Sequence, residues 1–215
     1  MTKLYVIRHG SRVDHEDRSW GKTAERPHDP PISEKGWRQA RQTGRYLQDK
    51  GITAVFASPF IRTIQTATAI CDALDLPIFV EGGLSEWLNP GWHDYTDGCL
   101  PLNELMSDYP RIDWKYQSLM RPRYPETQEE IAMNRYCYTA RQLYATAVDN
   151  KEGNIALISH GFCVYSLAKE LAKDTSNKKE QNCAINVFEK KMTGWKLTFS
   201  TTEHLKDRED KVEFI

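Results

Sequence analysis

The chain has 215 residues, a formal net charge of −1 at pH 7, 40% hydrophobic residues and 27% charged residues. The balanced charge excludes a general electrostatic attraction to nucleic acid or to a membrane surface. No run approaches the roughly 20 apolar residues of a membrane span. The length suffices for one large globular domain or two small ones, with an ample hydrophobic core.

The five cysteines are an odd number and include no CxxC pair, which predicts free thiols in a reducing compartment. An apolar run begins almost at once, so we expect no secretory signal. The cytoplasm is therefore the expected location. The sequence leaves the oligomeric state open, and a homodimer is one of the states that it allows.

The first predicted element is a strand over Leu4 to Ile7, four apolar residues that end in Arg8-His9-Gly10. An unbroken apolar run of this length is typical of a strand buried on both faces. A long polar loop follows over residues 13–31. Ser33 is a typical helix N-cap, and this helix is expected to end near Lys50-Gly51.

A second buried strand is predicted over Ile52 to Ser58, and Pro59 stands where the next helix begins. A third, short strand is predicted over Pro77 to Glu81. Residues 83–125 are rich in Trp, Tyr, Pro and Asp and lack regular periodicity. They predict an irregular and partly helical insertion in the domain.

A long helix is predicted from Thr127 to about residue 149, because Glu130 stands three residues after Thr127 and completes a capping box. Asn154 to Ser159 is another continuous apolar strand. A further helix is expected over about residues 162–173.

The last strands, Ala184 to Glu189 and Trp195 to Ser200, predict a hairpin, and the charged segment 203–211 predicts a mobile tail. No repeat or linker divides the chain. The alternation of strands and helices predicts one domain over residues 1–215, with the fold of a three-layer α/β/α sandwich. Its sheet is expected to be mostly parallel with an antiparallel edge.

Polar groups follow the ends of the predicted strands. They are Arg8, His9 and Arg12 after the first strand, Arg62 after the second, Glu86 beyond the third and His160 after the fourth. If these strands are neighbours in one sheet, their ends converge on one edge. Arginine forks match phosphate oxygens, a neutral imidazole can attack phosphorus, and a carboxylic acid can protonate a leaving oxygen. The set therefore predicts phosphoryl transfer through a phosphohistidine.

These motifs resemble the histidine phosphatase superfamily, which has a phosphoglycerate mutase-like fold, over nearly the whole chain. In order, the matching motifs are Arg8-His9-Gly10, Ser58-Pro59 with Arg62, Glu86-Trp87 and Ser159-His160-Gly161. The pattern Arg-His-Gly-x-Arg-x-Asp, together with Asp29-Pro30-Pro31, is similar to one branch of it, the suppressor of T-cell receptor signalling phosphatases and the ecdysteroid-phosphate phosphatase. The resemblance implies a phosphatase acting on phosphotyrosine-type or small hydrophobic phosphate esters.

The resemblance also implies roles for six residues: His9 as nucleophile, Glu86 as proton donor and then acceptor, and Arg8, Arg12, Arg62 and His160 as groups that hold the phosphoryl oxygens. It implies neither a metal nor a cofactor. The expected partner is a phosphorylated small molecule or a phosphoprotein, bound as substrate.

Two alternatives stay open: a mutase acting on small phosphorylated metabolites, and a weakly active phospho-ligand-binding or scaffold module on the same fold. Mutases of the superfamily typically carry Glu-Ser after Arg-His-Gly, whereas this chain has Ser11-Arg12, which argues against a mutase. A cysteine-based tyrosine phosphatase is not expected, because no cysteine is followed by an arginine six positions later.

Four aromatic residues are candidates for the wall of an aromatic substrate slot, with ordinary packing as the alternative. They are Trp20, Trp87, Trp92 and Tyr95. His93 could reach the pocket from the insertion, although a solvated loop position is the more ordinary interpretation.

Overall fold

The computed structural model describes residues 2–92 and 99–206, in which a six-stranded sheet lies between two layers of helices. The strands are β1 (Leu4–Arg8), β2 (Ile52–Ala57), β3 (Ile78–Val80), β4 (Asn154–Ser159), β5 (Ile185–Lys191) and β6 (Gly194–Thr201). The helices are α1 (Val13–Glu16), α2 (Glu34–Leu47), α3 (Ile61–Leu74), α4 (Leu102–Asp108), α5 (Glu129–Asp149) and α6 (Gly161–Ser166). A π-helical segment, Leu167–Leu171, continues α6, and 3₁₀ turns span Trp20–Lys22 and Gly82–Leu84.

The strand order is β3-β2-β4-β1-β5-β6. The first four strands in this order are parallel, whereas β5 pairs antiparallel with β1 and β6 antiparallel with β5. The predicted parallel sheet with an antiparallel edge is therefore confirmed. Because Arg8 pairs with Ser159 in the register, β1 and β4 end side by side.

Both faces of the sheet are covered. On β1, Leu4 and Val6 pack into the core beneath α5 and α6, whereas Tyr5 and Ile7 pack into the core beneath α2 and α3. Since every residue of such a strand meets an apolar layer, the strand needs an unbroken apolar run. None of the described helices is both long enough and apolar enough to cross a membrane.

The turn after β1 is pressed against the start of α2. The Ser33 hydroxyl accepts a hydrogen bond from Gly36 N–H at 3.2 Å, as expected of an N-cap. A Cβ on Gly36 would overlap the carbonyl oxygen of Ser11, and one on Gly10 would lie 2.7 Å from the Gly36 oxygen. Two glycines thus allow the close backbone approach that fixes the end of β1.

The predicted capping box at Thr127 is wrong. Helix α5 begins at Glu129, and its N-cap Gln128 makes no side-chain capping bond. The residues before α5 make other contacts. The backbone N–H of Glu126 donates to the Leu88 carbonyl, and the Glu126 carboxylate accepts hydrogen bonds from Leu88 N–H and from Arg135. These buried contacts delay the start of the helix.

The predicted mobile tail is also wrong at its beginning. The backbone oxygen of Lys206 accepts a hydrogen bond from Gln42, His204 contacts the Thr43 hydroxyl, and Leu205 packs on a small cluster that includes Ala40. Residues 204–206 therefore lie against α2. The rest of the predicted tail, 207–211, lies outside the described residues.

Candidate active site

Two histidines follow adjacent strand ends. His9 directly follows β1 and His160 directly follows β4, and the backbone N–H of His9 extends the ladder to the Ser159 oxygen at 2.9 Å. Both imidazoles are buried, and their ring centroids are 5.5 Å apart. The sheet register thus brings together two side chains that are 151 positions apart in sequence.

One nitrogen of His9 is committed and the other is free to react. Nδ1 lies 2.8 Å from the Gly10 carbonyl oxygen, and since a carbonyl only accepts, Nδ1 carries the proton. Burial, assisted by the charges of Arg62 and Arg8, lowers the pKa of His9 well below its usual value. The neutral ring therefore keeps a lone pair on Nε2 at neutral pH.

Arg62 lies in the first turn of α3 and is almost completely buried, with 1% of its surface exposed. Its Nη1 is 3.4 Å from Asp29 Oδ1, and its Nη2 is 3.6 Å from Glu86 Oε2. Asp29 also accepts a hydrogen bond from Ile61 N–H at 2.9 Å. One carboxylate thus anchors both the arginine and the helix that carries it.

Glu86 faces His160 across the site, with Oε2 3.2 Å from Nδ1. On its other side His160 Nε2 is 2.9 Å from the Ser58 hydroxyl. Burial lowers the pKa of His160 to about 4, against the opposing charge of Glu86. Burial also acts to raise the pKa of Glu86, but His160 and Arg62 outweigh it and hold that pKa at about 2. At neutral pH the site therefore contains an ionised carboxylate and a neutral imidazole.

The remaining predicted arginines lie toward the edge of the site. Arg8 donates from Nη1 to the Glu180 carbonyl at 2.6 Å, and its pKa is lowered by burial and by the neighbouring charge of Arg12. Arg12 forms a two-bond fork to Asp14, at 2.9 and 2.7 Å, and stays partly exposed. All six predicted residues thus lie in one charged region, with Arg12 at its rim.

Several buried polar atoms at this site have no hydrogen-bond partner within residues 2–92 and 99–206. They are Arg8 Nε, Arg62 Nε, Asp29 Oδ2 and His160 Nδ1, the last of which has only its contact with Glu86 Oε2 at 3.2 Å. Buried polar groups are ordinarily paired, because an unpaired one costs about 1–3 kcal/mol. Two of the four are guanidinium donors, and their missing partner is best supplied by an anion. In the same ranges, no group of three or more metal-binding side chains is placed to hold an ion.

The aromatic residues proposed for a substrate slot are only partly brought together. Trp87 and Trp92 lie 4.8 Å apart, and Trp87 stacks on Phe162 at the same centroid distance. Trp20 lies in the separate 3₁₀ turn after α1. Tyr95 and His93 lie outside the described residues.

Sequence reasoning did not assign roles to Asp29 and Ser58, although both stand in motifs that it used. The polar residues before Pro30 and Pro59 were the available signal. It also missed Thr66, whose hydroxyl accepts from Gly10 N–H at 3.0 Å and donates to the Arg62 carbonyl. Thr66 stands in the motif that follows Arg62, but a threonine one turn after an arginine gave no indication of this contact.

Comparison with known proteins agrees with this geometry. The model of the histidine phosphatase superfamily (branch 1) matches residues 4–202. Ubiquitin-associated and SH3 domain-containing protein A of Mus musculus is 31% identical over 204 residues, covering 78% of this chain and 32% of that protein. The chain thus spans about a third of the length of this relative.

Solved structures of other proteins share the fold. The ecdysone phosphate phosphatase of Bombix mori, in complex with tungstate, aligns with a TM-score of 0.71 and 19% identity over 88% of this chain and 89% of that one. A phosphoglycerate mutase of Bacillus anthracis str. Sterne aligns at 0.62 with 19% identity over 87% of each chain. The predicted fold is confirmed, and the predicted enzyme class is confirmed at the level of the family. The chain belongs to the histidine phosphatase superfamily.

Proposed function

We propose that this chain hydrolyses phosphate monoesters through a phosphohistidine formed on His9. One observation carries the proposal: the buried, neutral imidazole of His9, with the lone pair of Nε2 available, lies in the field of Arg8 and Arg62, whose Nε donors have no hydrogen-bond partner among the described residues. A phosphate dianion supplies the partner that these donors lack. It also presents its phosphorus to the free ring nitrogen.

In the first step the Nε2 lone pair of His9 forms a bond to phosphorus, and the bond from phosphorus to the ester oxygen breaks. The leaving oxygen takes a proton, and an alcohol or phenol departs. In the second step water attacks phosphorus, the P–N bond breaks, and the lone pair returns to Nε2. Arg8, Arg62 and His160 stabilise the charge on the phosphoryl oxygens in both steps. Arg12 adds a further cation at the rim.

Glu86 is the group placed to move the proton. Because its pKa is about 2 in the free site, it starts as a carboxylate and must gain a proton when substrate binds. A phosphate monoester has a second pKa near 6, so the substrate itself can bring that proton. After the leaving group departs, the carboxylate takes a proton from the attacking water.

A large cavity lies next to the site, although none of the six predicted site residues lines it. It has a volume of about 910 Å³ and is lined mostly by apolar and aromatic side chains, among them Phe60, Leu88 and Trp114. The Phe60 ring forms a wall shared with the site, since it lies 4.4 Å from the Arg62 guanidinium and 5.2 Å from the His160 ring. The pattern Arg8-His9-Gly10-x-Arg12-x-Asp14 is what favours phosphotyrosine-type or small hydrophobic esters, carried by a phosphoprotein or by a small molecule.

We also propose that residues 1–215 form one domain, with residues 83–125 as its insertion. The family match over residues 4–202 supports this. The insertion supplies much of the cavity wall, including Leu100 and Leu102.

The experiment is a hydrolysis screen over phosphotyrosine peptides, steroid phosphates, sugar phosphates and phosphoglycerates, with His9→Ala beside the wild type. We expect wild-type hydrolysis of aryl and steroid esters and its loss in His9→Ala. Equal turnover by the two proteins contradicts the mechanism. Isomerisation of phosphoglycerate faster than its hydrolysis identifies a mutase. Rapid quenching with ³²P-labelled substrate should trap an acid-labile, base-stable adduct.

A further inference from the structure

Arg135 is a buried arginine that lies outside the phosphate site. All its N–H donors form hydrogen bonds to groups next to that site. It stands in the second turn of α5, and 5% of its surface is exposed. Nε and Nη2 form a fork to the two carboxylate oxygens of Glu126, each at 2.7 Å. The remaining N–H groups reach three backbone carbonyls: Gly83 at 3.0 Å, Ser85 at 2.8 Å and Glu86 at 3.2 Å.

All five N–H donors of this guanidinium are therefore used, and three of them fix one short segment of chain. Tyr136, the next residue, adds a hydroxyl donor to the Ser85 carbonyl at 2.7 Å. Glu126 completes the arrangement, because its Oε2 accepts from Leu88 N–H at 3.0 Å.

Residues 83–88, the segment that these bonds hold, belong to no strand and therefore have no β-ladder hydrogen bonds of their own. Only a 3₁₀ turn, Gly82–Leu84, precedes Glu86, and no strand or helix of the structure includes residues 85–88. Its position is therefore set by partners from elsewhere: Arg135 and Tyr136 from α5, and Ser159, whose hydroxyl donates to the Leu84 carbonyl at 2.8 Å. The Glu86 carboxylate is carried on this segment and faces His160 and Arg62.

We propose that Arg135, held by its fork to Glu126, is the positioning residue for Glu86: it fixes the backbone from which that carboxylate reaches the leaving oxygen. The proposal rests on the proposed function, because it assumes that Glu86 transfers a proton. Arg135 touches no reacting atom and acts through the backbone of residues 83–86.

The test compares kcat/KM for two substrates of similar size, p-nitrophenyl phosphate and phenyl phosphate. Phenolate, with a pKa of about 10 like tyrosine, needs protonation as it leaves, whereas the more acidic nitrophenol does not. The ratio kcat/KM reports only on the steps up to loss of the leaving group. In Glu86→Gln we expect a loss of about 100-fold on phenyl phosphate and a much smaller one on the nitrophenyl ester.

Arg135→Lys keeps the charge but loses the two-bond fork to Glu126. Its kcat/KM on phenyl phosphate should fall about 10-fold, with a much smaller loss on the nitrophenyl ester, because a small misplacement of a catalytic group is costly. Adding Arg135→Lys to Glu86→Gln should cause no further selective loss, since the group that it positions is already absent. Arg111→Lys is the matched control: Arg111 pairs with Asp72 on the surface and should leave both substrates unaffected.

A merely structural role of Arg135 predicts a different result: equal losses on both esters, or a selective loss that persists in the Glu86→Gln background. Either result overturns the proposal. If Arg135→Lys does not fold, Tyr136→Phe serves instead, because it removes one hydrogen bond to the Ser85 carbonyl that Arg135 also holds. It should give the same selective loss on phenyl phosphate with a smaller amplitude. Equal losses on both esters in Tyr136→Phe also overturn the proposal. His9→Ala distinguishes a failure of this proposal from a failure of the proposed function, because full activity of His9→Ala would contradict the proposed function itself.

Discussion

The carboxylate of Asp29 and the guanidinium of Arg62 meet at 3.4 Å, with both side chains buried. Burial raises the pKa of Asp29, and the charge of Arg62 opposes this effect. The same oxygen of Asp29 accepts from Ile61 N–H at the start of α3. The long polar loop after β1 is thereby attached to the helix that carries Arg62.

Replacing Asp29 by alanine should therefore weaken both stability and catalysis. The Ile61 N–H loses its acceptor, which resembles the loss of a helix cap and should cost about 1–2 kcal/mol in the free energy of unfolding. Arg62 loses its anchor, and kcat/KM should fall about 10-fold. Asp29→Asn keeps an oxygen for Ile61 N–H, so its stability should stay near that of the wild type while activity still falls. Urea unfolding and steady-state kinetics measure the two effects; equal destabilisation by both substitutions would contradict this account.

The sequence predicted well where His9, Arg62 and His160 lie, because each of them directly follows a strand or stands at a helix start with a strong local pattern. His9 and His160 follow continuous apolar runs, and Arg62 follows a proline at a helix start. Such patterns depend on neighbouring residues alone. The parallel register then places them together without further information.

The supporting residues could not be predicted in the same way. Arg135 contacts the Ser85 carbonyl from 50 positions away, and nothing in its own surroundings distinguishes it from other helical arginines. Asp29 lies in a loop without periodicity. The capping-box error at Thr127 has the same origin, since a local pattern was overruled by the distant contacts of Glu126. Long-range contacts of this kind are set by packing, which a local pattern does not record.

Replacing Gly36 by alanine should destabilise the protein by about 1–3 kcal/mol, because the new Cβ overlaps the Ser11 carbonyl oxygen and a methyl forced into a packed backbone contact strains it. The strain falls on the turn after His9, so activity should fall as well. Gly21→Ala is the matched control: the nearest atom to its added Cβ, on Pro27, is 3.9 Å away. Thermal unfolding of both variants measures the difference, and equal melting temperatures would exclude this packing constraint.

The stability of the protein should fall between pH 6.5 and 4. Since the pKa of His160 is lowered from 6.5 to about 4, the unfolded chain binds its proton first as the pH falls. The stabilisation is complete above pH 6.5, is lost as the pH falls toward 4, and amounts to about 3 kcal/mol for this group. In His160→Gln the decline should be shallower by that amount. Urea titrations at several pH values measure it, and parallel curves for the two proteins would refute the assignment.

Anion binding should draw a proton into the site through Glu86. A bound dianion stands close to this carboxylate and raises its pKa from about 2, so protonation and binding favour each other. Sulfate is a suitable probe because it stays dianionic across the range. Its affinity for the wild type should rise as the pH falls from 7 to 5. Glu86→Gln removes the like charge, so it should bind sulfate about 10-fold more tightly at pH 7 and with a weaker pH dependence. Calorimetry in buffers of different ionisation enthalpy measures the proton uptake directly, and equal uptake by the two proteins would assign the proton to another group, such as His9.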